Sequence, residues 1–298
     1  MTLRIGTRRS ALALAQAREV AELLEVHDVK TELVPMSTSG DRGAQPTGSS
    51  AGMKGLWVSE IVGALLDGQV DLAVHSAKDL PAEDDPRVVL AAVPERASAL
   101  DVLVTREGEL PPGAKVGTSS LRRRAQVFRW RPDVLVTDIR GNVDTRLRKL
   151  DEGEVDGIVL AAAGLLRLGV VPEHAAPMSV AEMVPAPGQG SLAVQTRADD
   201  AAARDALAAL DHEPSRLALE AERALVARLD AGCALPLGAF AQVAEDRVAL
   251  DAIVLTPDGE RVVRSAVDAP TPAEAAELAA LDLLAGGADE ILRSARSS

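Results

Sequence analysis

The 298-residue chain is 47% hydrophobic, enough to bury the cores of two or three domains, and its longest apolar run, Gly157 to Leu166, is half of what a bilayer span of ~20 residues requires. Its net charge of −13, with Trp57, Phe128, Trp130 and Phe240 as the whole aromatic complement, argues against a protein that grips phosphates and stacks bases. The start, Met1-Thr2-Leu3-Arg4-Ile5, reads as a strand rather than a signal segment, and Cys233 is the lone cysteine, so a reducing, cytoplasmic setting is expected. His27, His75, His174 and His212 are scattered, and no metal site is expected.

Along the chain, short apolar runs alternate with amphipathic stretches of helical length. The pattern predicts a strand at Leu3 to Ile5, a helix at Ser10 to Glu25, a strand at Thr31 to Met36, a helix at Val58 to Leu66 and a strand at Val70 to His75. A second unit repeats it: strand Lys115 to Gly117, a helix from Leu121, strand Val134 to Ile139, a helix around Thr145 to Leu150 and strand Val155 to Leu160. Ile5-Gly6-Thr7 matches Val116-Gly117-Thr118, and Gly68-Gln69-Val70-Asp71 matches Gly153-Glu154-Val155-Asp156, which marks the units as copies. The first copy is longer, largely through Ser37 to Gly55, a Ser/Thr/Gly-rich stretch that reads equally as a mobile lid or a plain linker. Beyond the copies, helices at Asp199 to Leu210 and Ser215 to Leu229, strands at Val248 to Leu255 and Arg261 to Val267, and a last helix from Ala273 predict a smaller α+β domain.

Charge is distributed unevenly over this plan. Between Lys115 and Lys149 ten Lys or Arg stand against Asp133, Asp138 and Asp144, a segment charge of +7 that leaves −20 on the rest of the chain. A cationic stretch in an acidic protein fits a small polyanion held in a pocket better than a polymer. In the second copy, Thr118-Ser119-Ser120 opens a helix whose N–H groups face an anion, with Arg122, Arg123 and Arg124 following. Successive helical residues lie ~100° apart, so only some of these arginines reach a cleft. Arg140-Gly141-Asn142 and Arg146 repeat the arrangement one strand later, and Arg8 with Ser10 stands at the matching turn of the first copy.

Ligands of open α/β sheets bind beyond the carboxyl ends of strands. There the copies differ: His75-Ser76-Ala77-Lys78-Asp79 corresponds to Leu160-Ala161-Ala162-Ala163-Gly164. Asp79 is therefore a candidate acid/base, the alternative being a turn cap before Pro81 paired with Lys78. Cys233, in Gly232-Cys233-Ala234, reads as an inert buried thiol or as a nucleophile. Pro185-Ala186-Pro187-Gly188-Gln189-Gly190 lacks the N–H donors of a phosphate cradle and reads as an interdomain hinge.

Taken together, Thr7-Arg8, His75-Ser76 with Lys78-Asp79, Gly117-Thr118-Ser119-Ser120-Leu121-Arg122-Arg123, Arg140-Gly141-Asn142, Gly188-Gln189-Gly190 and Gly232-Cys233 resemble, in order and over the whole chain, the porphobilinogen deaminase (hydroxymethylbilane synthase) family. The resemblance implies two duplicated α/β domains like those of periplasmic ligand-binding proteins, residues 1–94 with 191–208 and residues 100–184, with the active site in the cleft between them. A small α+β domain, 213–298, would carry the cysteine loop. It implies a dipyrromethane cofactor joined to Cys233 by a thioether, and a transferase that builds the linear tetrapyrrole hydroxymethylbilane from porphobilinogen with loss of ammonia. Asp79 would be catalytic. Arg8, Ser10, Ser120, Arg122, Arg123, Arg140, Arg146 and Arg167 would bind the acetate and propionate groups, with Lys78, Thr118 and Ser119 close by; Lys54, Trp57, Ser76, Gly141 and Gln189 would complete the cofactor- and substrate-binding set, Lys54 closing a mobile lid at 37–55. The family further implies a cytoplasmic monomer with no metal, nucleic-acid or membrane partner, and a transient hand-over to uroporphyrinogen-III synthase. Departures are few: Met53 before Lys54, Trp57 for a usual phenylalanine, and Leu166 for a usual basic residue.

Two rivals stand beside this reading. A non-catalytic polycarboxylate-binding protein on the same scaffold would carry no adduct on Cys233. A nucleic-acid module using Arg122 to Arg148 would lose affinity steeply with salt.

Overall fold

A computed structural model describes residues 2–36, 50–81, 85–231 and 235–296, with residues 50–57 described as backbone only. Cys233, the 37–49 part of the expected lid, and the side chains of Lys54 and Trp57 therefore lie outside the described residues.

The first sheet begins with β1 (Thr2–Arg8), followed by helix α1 (Ala11–Glu25) and β2 (Lys30–Met36). Ser10 caps α1 by accepting from the Ala13 N–H at 3.3 Å, and the face carrying Ala17, Val20 and Leu24 is buried on the sheet. Helix α2 (Ser50–Leu66) leads to β3 (Leu72–Ser76), which runs parallel to β1. Helix α2 starts well before Val58, so residues 50–55 of the expected loop are helical. Ala51, Met53, Lys54 and Leu56 are good helix formers that extend the turn periodicity N-terminally. After β4 (Val88–Ala92) the chain crosses to the second sheet through β5 (Asp101–Thr105).

That sheet holds β6 (Lys115–Gly117), α3 (Leu121–Trp130), β7 (Leu135–Thr137), α4 (Val143–Asp151), β8 (Gly157–Ala161), α5 (Ala162–Arg167) and β9 (Ala175–Pro177). The chain then returns to the first sheet as β10 (Leu192–Arg197). The strand orders are β2-β1-β3-β10-β4 and β7-β6-β8-β5-β9. In each, the first three strands are parallel, the fourth, contributed by a crossover between the sheets, runs antiparallel to them, and the fifth pairs antiparallel with the fourth.

The duplication extends to individual bonds. Asp71 Oδ2 accepts from the Arg4 N–H at 2.9 Å, and Asp156 Oδ2 accepts from the Lys115 N–H at 2.8 Å, at equivalent positions. A Cβ at Gly117 would stand 2.8 Å from Ile139 Cγ2, and one at Gly6 would stand 3.0 Å from Val70 Cγ2, which is why both copies keep glycine there.

Helices α6 (Ala201–Leu207) and α7 (Glu213–Arg228) lead into an antiparallel sheet of β11 (Leu237–Ala244), β12 (Arg247–Leu255) and β13 (Val262–Ala269), followed by α8 (Pro272–Ala285) and α9 (Ala288–Arg296). Strand β12 alternates as a half-buried strand should: Val248, Leu250, Ala252 and Val254 pack on Leu225 of α7 and Leu283 of α8. Ile253 and Leu255, on the other face, pack on Ala125 and Val184, joining this layer to the second sheet domain. The fold is thus two duplicated α/β domains with a cleft between them and a small C-terminal α+β domain.

Candidate active site

A cavity of about 440 Å³ opens where the carboxyl ends of β1, β3, β6 and β8 converge, and the third domain closes one side of it. Its lining holds seven cationic side chains, Arg8, Lys78, Arg122, Arg123, Arg146, Arg167 and Arg223, against the single acid Asp79, among the described residues. Helix starts explain much of the placement. Ser10 caps α1, and Ser120 caps α3 by accepting from the Arg123 N–H at 3.4 Å, so both walls present hydroxyls and unpaired helix N–H groups. Asp79 ends the short 3₁₀ turn Ala77–Asp79 directly after β3.

The strand-end asymmetry is retained in three dimensions. Ser76, Lys78 and Asp79 line the cavity from the first domain and Ala161, Ala163 and Gly164 from the second, so at these strand ends one side is polar and the other apolar. His75 lies just behind, buried to 6% exposure; desolvation lowers its pKa to about 4 even though Asp79 pulls it upward.

The arginines divide into two kinds. Arg122 and Arg123, adjacent in sequence, both turn inward onto Asp101 at the start of β5, which is fully buried. Arg122 Nη1 donates to Asp101 Oδ2 at 2.7 Å and to the Val184 carbonyl at 2.7 Å. Arg123 Nε and Nη2 donate to Asp101 Oδ1 at 3.0 and 2.7 Å. Their expected role is thus narrowed: each lines the cavity but holds a carboxylate of the protein. Arg146 is the other kind. Its Nε donates to the Gly141 carbonyl at 2.8 Å, and it has no ion-pair partner among the described residues. Burial and the charge of Arg123 push its pKa down, as expected for a cation in need of an anion.

Arg167 spans the cleft, its Nε donating to Glu19 Oε2 of α1 at 2.7 Å. Gln189 is not in a loose hinge. Its Nε2 donates to the Ala99 carbonyl at 2.7 Å and Asp101 Oδ1 at 3.0 Å, and its Oε1 accepts from Lys78 Nζ at 3.4 Å. Gly190 beside it has φ of 90° and touches the 93–100 crossover so closely that a Cβ would lie 2.4 Å from the Ala97 carbonyl.

Two expected ligand residues stand outside the cavity lining. Thr118 is buried, its Oγ1 accepting from the Ser120 N–H at 3.2 Å, so it shapes the turn. Arg140 is exposed and paired with Asp138 at 3.0 Å, because the left-handed Gly141 (φ 120°) turns the chain after it. Ser119 lines the cavity while its Oγ donates to the Ile139 carbonyl. Sequence reasoning missed Asp101, Glu19 and Gln16; only Asp101 left a signal, a lone acid opening the apolar run Val102-Leu103-Val104.

The third domain enters through Arg223 and Val226 of α7 and through Ala231, Leu235 and Leu237, so both described flanks of the cysteine loop line the cavity.

Residues 3–205 match the family model described as "Porphobilinogen deaminase, dipyromethane cofactor binding domain", and residues 216–284 match "Porphobilinogen deaminase, C-terminal domain". The chain belongs to the porphobilinogen deaminase family. Among curated relatives, the porphobilinogen deaminase of Thermus thermophilus is 45% identical over 98% of both chains, and that of Acidothermus cellulolyticus is 44% identical over 99% of this chain and 92% of its own. A solved nutrient binding protein from Burkholderia cenocepacia bound to methionine aligns with 70% of this chain and 91% of its own at 14% identity and a TM-score of 0.43. The cationic cleft lies mostly within the segment matched by the family's cofactor-binding domain, and no described helix is long and apolar enough to cross a membrane.

Proposed function

We propose that this chain is a hydroxymethylbilane synthase: it joins porphobilinogen molecules head to tail into a linear tetrapyrrole and releases ammonia at each joining, for haem and related tetrapyrroles. The observation that carries this reading is a single acid, Asp79, among seven cations in a cleft of a chain belonging to the porphobilinogen deaminase family. Each porphobilinogen brings an acetate and a propionate, and planar guanidinium forks suit both.

The residues present fit a dipyrromethane. Arg146, without an acidic partner, and Arg8 and Lys78 on the facing wall would hold its carboxylates, with Ser10, Ser119 and Ser120 supplying hydroxyls. The described flanks of the loop bearing Cys233 reach the same cavity, which supports attachment there through a thioether. When bound, the group supplies a pyrrole carbon as the starting end of the chain. Lys54, Trp57 and the 37–55 segment would cover the cleft.

Asp79 acts on the substrate. Its carboxylate stabilises the cation that develops as the aminomethyl nitrogen departs, and afterwards accepts the proton lost from the attacked pyrrole carbon. The surrounding cations bind the acidic side chains, so the reacting carbon is held beside Asp79. Arg167, now on Glu19, exchanges that partner for a substrate carboxylate. The enzyme works as a cytoplasmic monomer and passes its product transiently to uroporphyrinogen-III synthase.

Intact-mass measurement followed by peptide mapping tests the reading. A two-pyrrole adduct on Cys233 is expected, either as purified or after incubation with porphobilinogen. A cysteine that stays bare after incubation would instead favour the non-catalytic polycarboxylate binder.

A further inference from the structure

Behind Asp79 lies a second chamber of about 80 Å³ between α1, α2 and β3. It shares Arg8, Gln16, Ser76 and Asp79 with the main cleft, so the two meet at the acid. A cavity needs only ~10–15 Å³ of this measure to hold a water molecule, so the chamber has room for small molecules of that size.

The chamber's described lining includes a buried imidazole nitrogen that makes no hydrogen bond. His75 is 6% exposed, lines the chamber, and its buried Nε2 has no hydrogen-bond partner among the described residues. A buried polar atom left without a hydrogen bond destabilises the fold. Fold geometry does not demand this residue, since the matching strand end of the second domain carries the buried Leu160. Burial keeps the ring neutral near pH 7, so one of its nitrogens is an acceptor. On the same wall, Gln16 Nε2 donates to Ser76 Oγ at 2.7 Å.

The deaminase reaction yields one product of matching size. Each joining breaks the CH₂–N bond of a protonated aminomethyl group and forms a carbon–carbon bond to a pyrrole carbon. The nitrogen departs as ammonia, and the proton that Asp79 takes from the attacked carbon is then passed to it, so overall an alkylammonium enters and ammonium leaves. Ammonium is an N–H donor with no acceptor. The main cleft is lined by more cations than acids even with Arg122 and Arg123 held by Asp101 and Arg167 by Glu19, whereas the small chamber has one cation, Arg8, and one acid, Asp79, among its described lining. We propose that the chamber behind Asp79 is a product subsite that takes up the ammonium released at each joining, with the His75 imidazole as its acceptor, a reading that rests on the deaminase activity proposed above.

Holoenzyme labelled with ¹⁵N-histidine would be titrated with ammonium chloride against sodium chloride and tetramethylammonium chloride at equal ionic strength. His75 is identified as the ring that resists protonation until about pH 4. Its resonances are expected to shift saturably with ammonium and to stay still with the other two salts. His75→Leu, which copies the second domain, is expected to raise the inhibition constant for ammonium about tenfold while changing KM for porphobilinogen less than about twofold, the tenfold change corresponding to ~1.4 kcal/mol. If ammonium moves the His75 signals no more than sodium does, the chamber holds water only and the proposal falls, whatever the turnover. A saturable shift in a protein that never releases ammonia from porphobilinogen would retain the cation site and refute the deaminase reading instead.

Discussion

Asp101→Asn tests the buried charge cluster beneath the cleft. The carboxylate is fully buried and accepts from Arg122, from Arg123 twice and from Gln189, while the two guanidiniums are 4% and 9% exposed in their side chains. The asparagine keeps the size but leaves two buried cations with no counter-charge, a change that costs about 3–5 kcal/mol when one partner of a buried pair is removed. At about 2–4 °C per kcal/mol for a domain of 150–250 residues, the thermal midpoint should fall by about 6–20 °C. The acid dependence gives a second readout. Desolvation works to raise the Asp101 pKa, but the charges of Arg122 and Arg123 and the hydrogen bonds from Arg122 and Gln189 outweigh it and hold the carboxyl below the usual range. A carboxyl depressed on folding stabilises the protein above its unfolded pKa of ~3.9 and loses that contribution as pH falls towards the folded value. Wild type should therefore lose stability below about pH 4 more steeply than the variant. Calorimetry between pH 7 and pH 3 measures both effects. A loss under about 1 kcal/mol, or an unchanged acid slope, would refute the view that Asp101 neutralises the arginine pair.

Asp79→Asn should lower kcat by at least about a hundredfold while circular dichroism and the mass of any adduct on Cys233 stay as in wild type; near-normal turnover would remove Asp79 from the chemistry. Gly190→Ala should destabilise the protein by at least about 2 kcal/mol in urea unfolding, because the new Cβ meets the Ala97 and Ser98 carbonyls at 2.4 and 3.0 Å in a left-handed backbone.

Much of the architecture is legible in the sequence because its signals are local. Strand and helix periodicities, the caps Ser10 and Ser120, and the paired Gly-x-Val-Asp turns at Asp71 and Asp156 depend on residues only a few positions apart. The contrast between His75-Ser76 and Leu160-Ala161 likewise marked, without coordinates, a polar strand end that lines the cavity. Strands β4, β5 and β10 were not legible, because each is a short run that becomes a strand by pairing antiparallel with partners distant in the chain. Helix α2 escaped in part because its first turns carry glycine and serine.

For the site, the uneven charge implied a cationic pocket for a small polyanion, and duplication pointed to the cleft between two domains. Which arginine serves the ligand and which serves the protein was decided by the tertiary structure. Arg122, Arg123 and Arg146 are alike as residues, yet Asp101 arrives from another strand to neutralise the first two, while the third has only the more distant charge of Asp138. A side chain's charge is written in the sequence, but its counter-charge depends on what folding brings across from it.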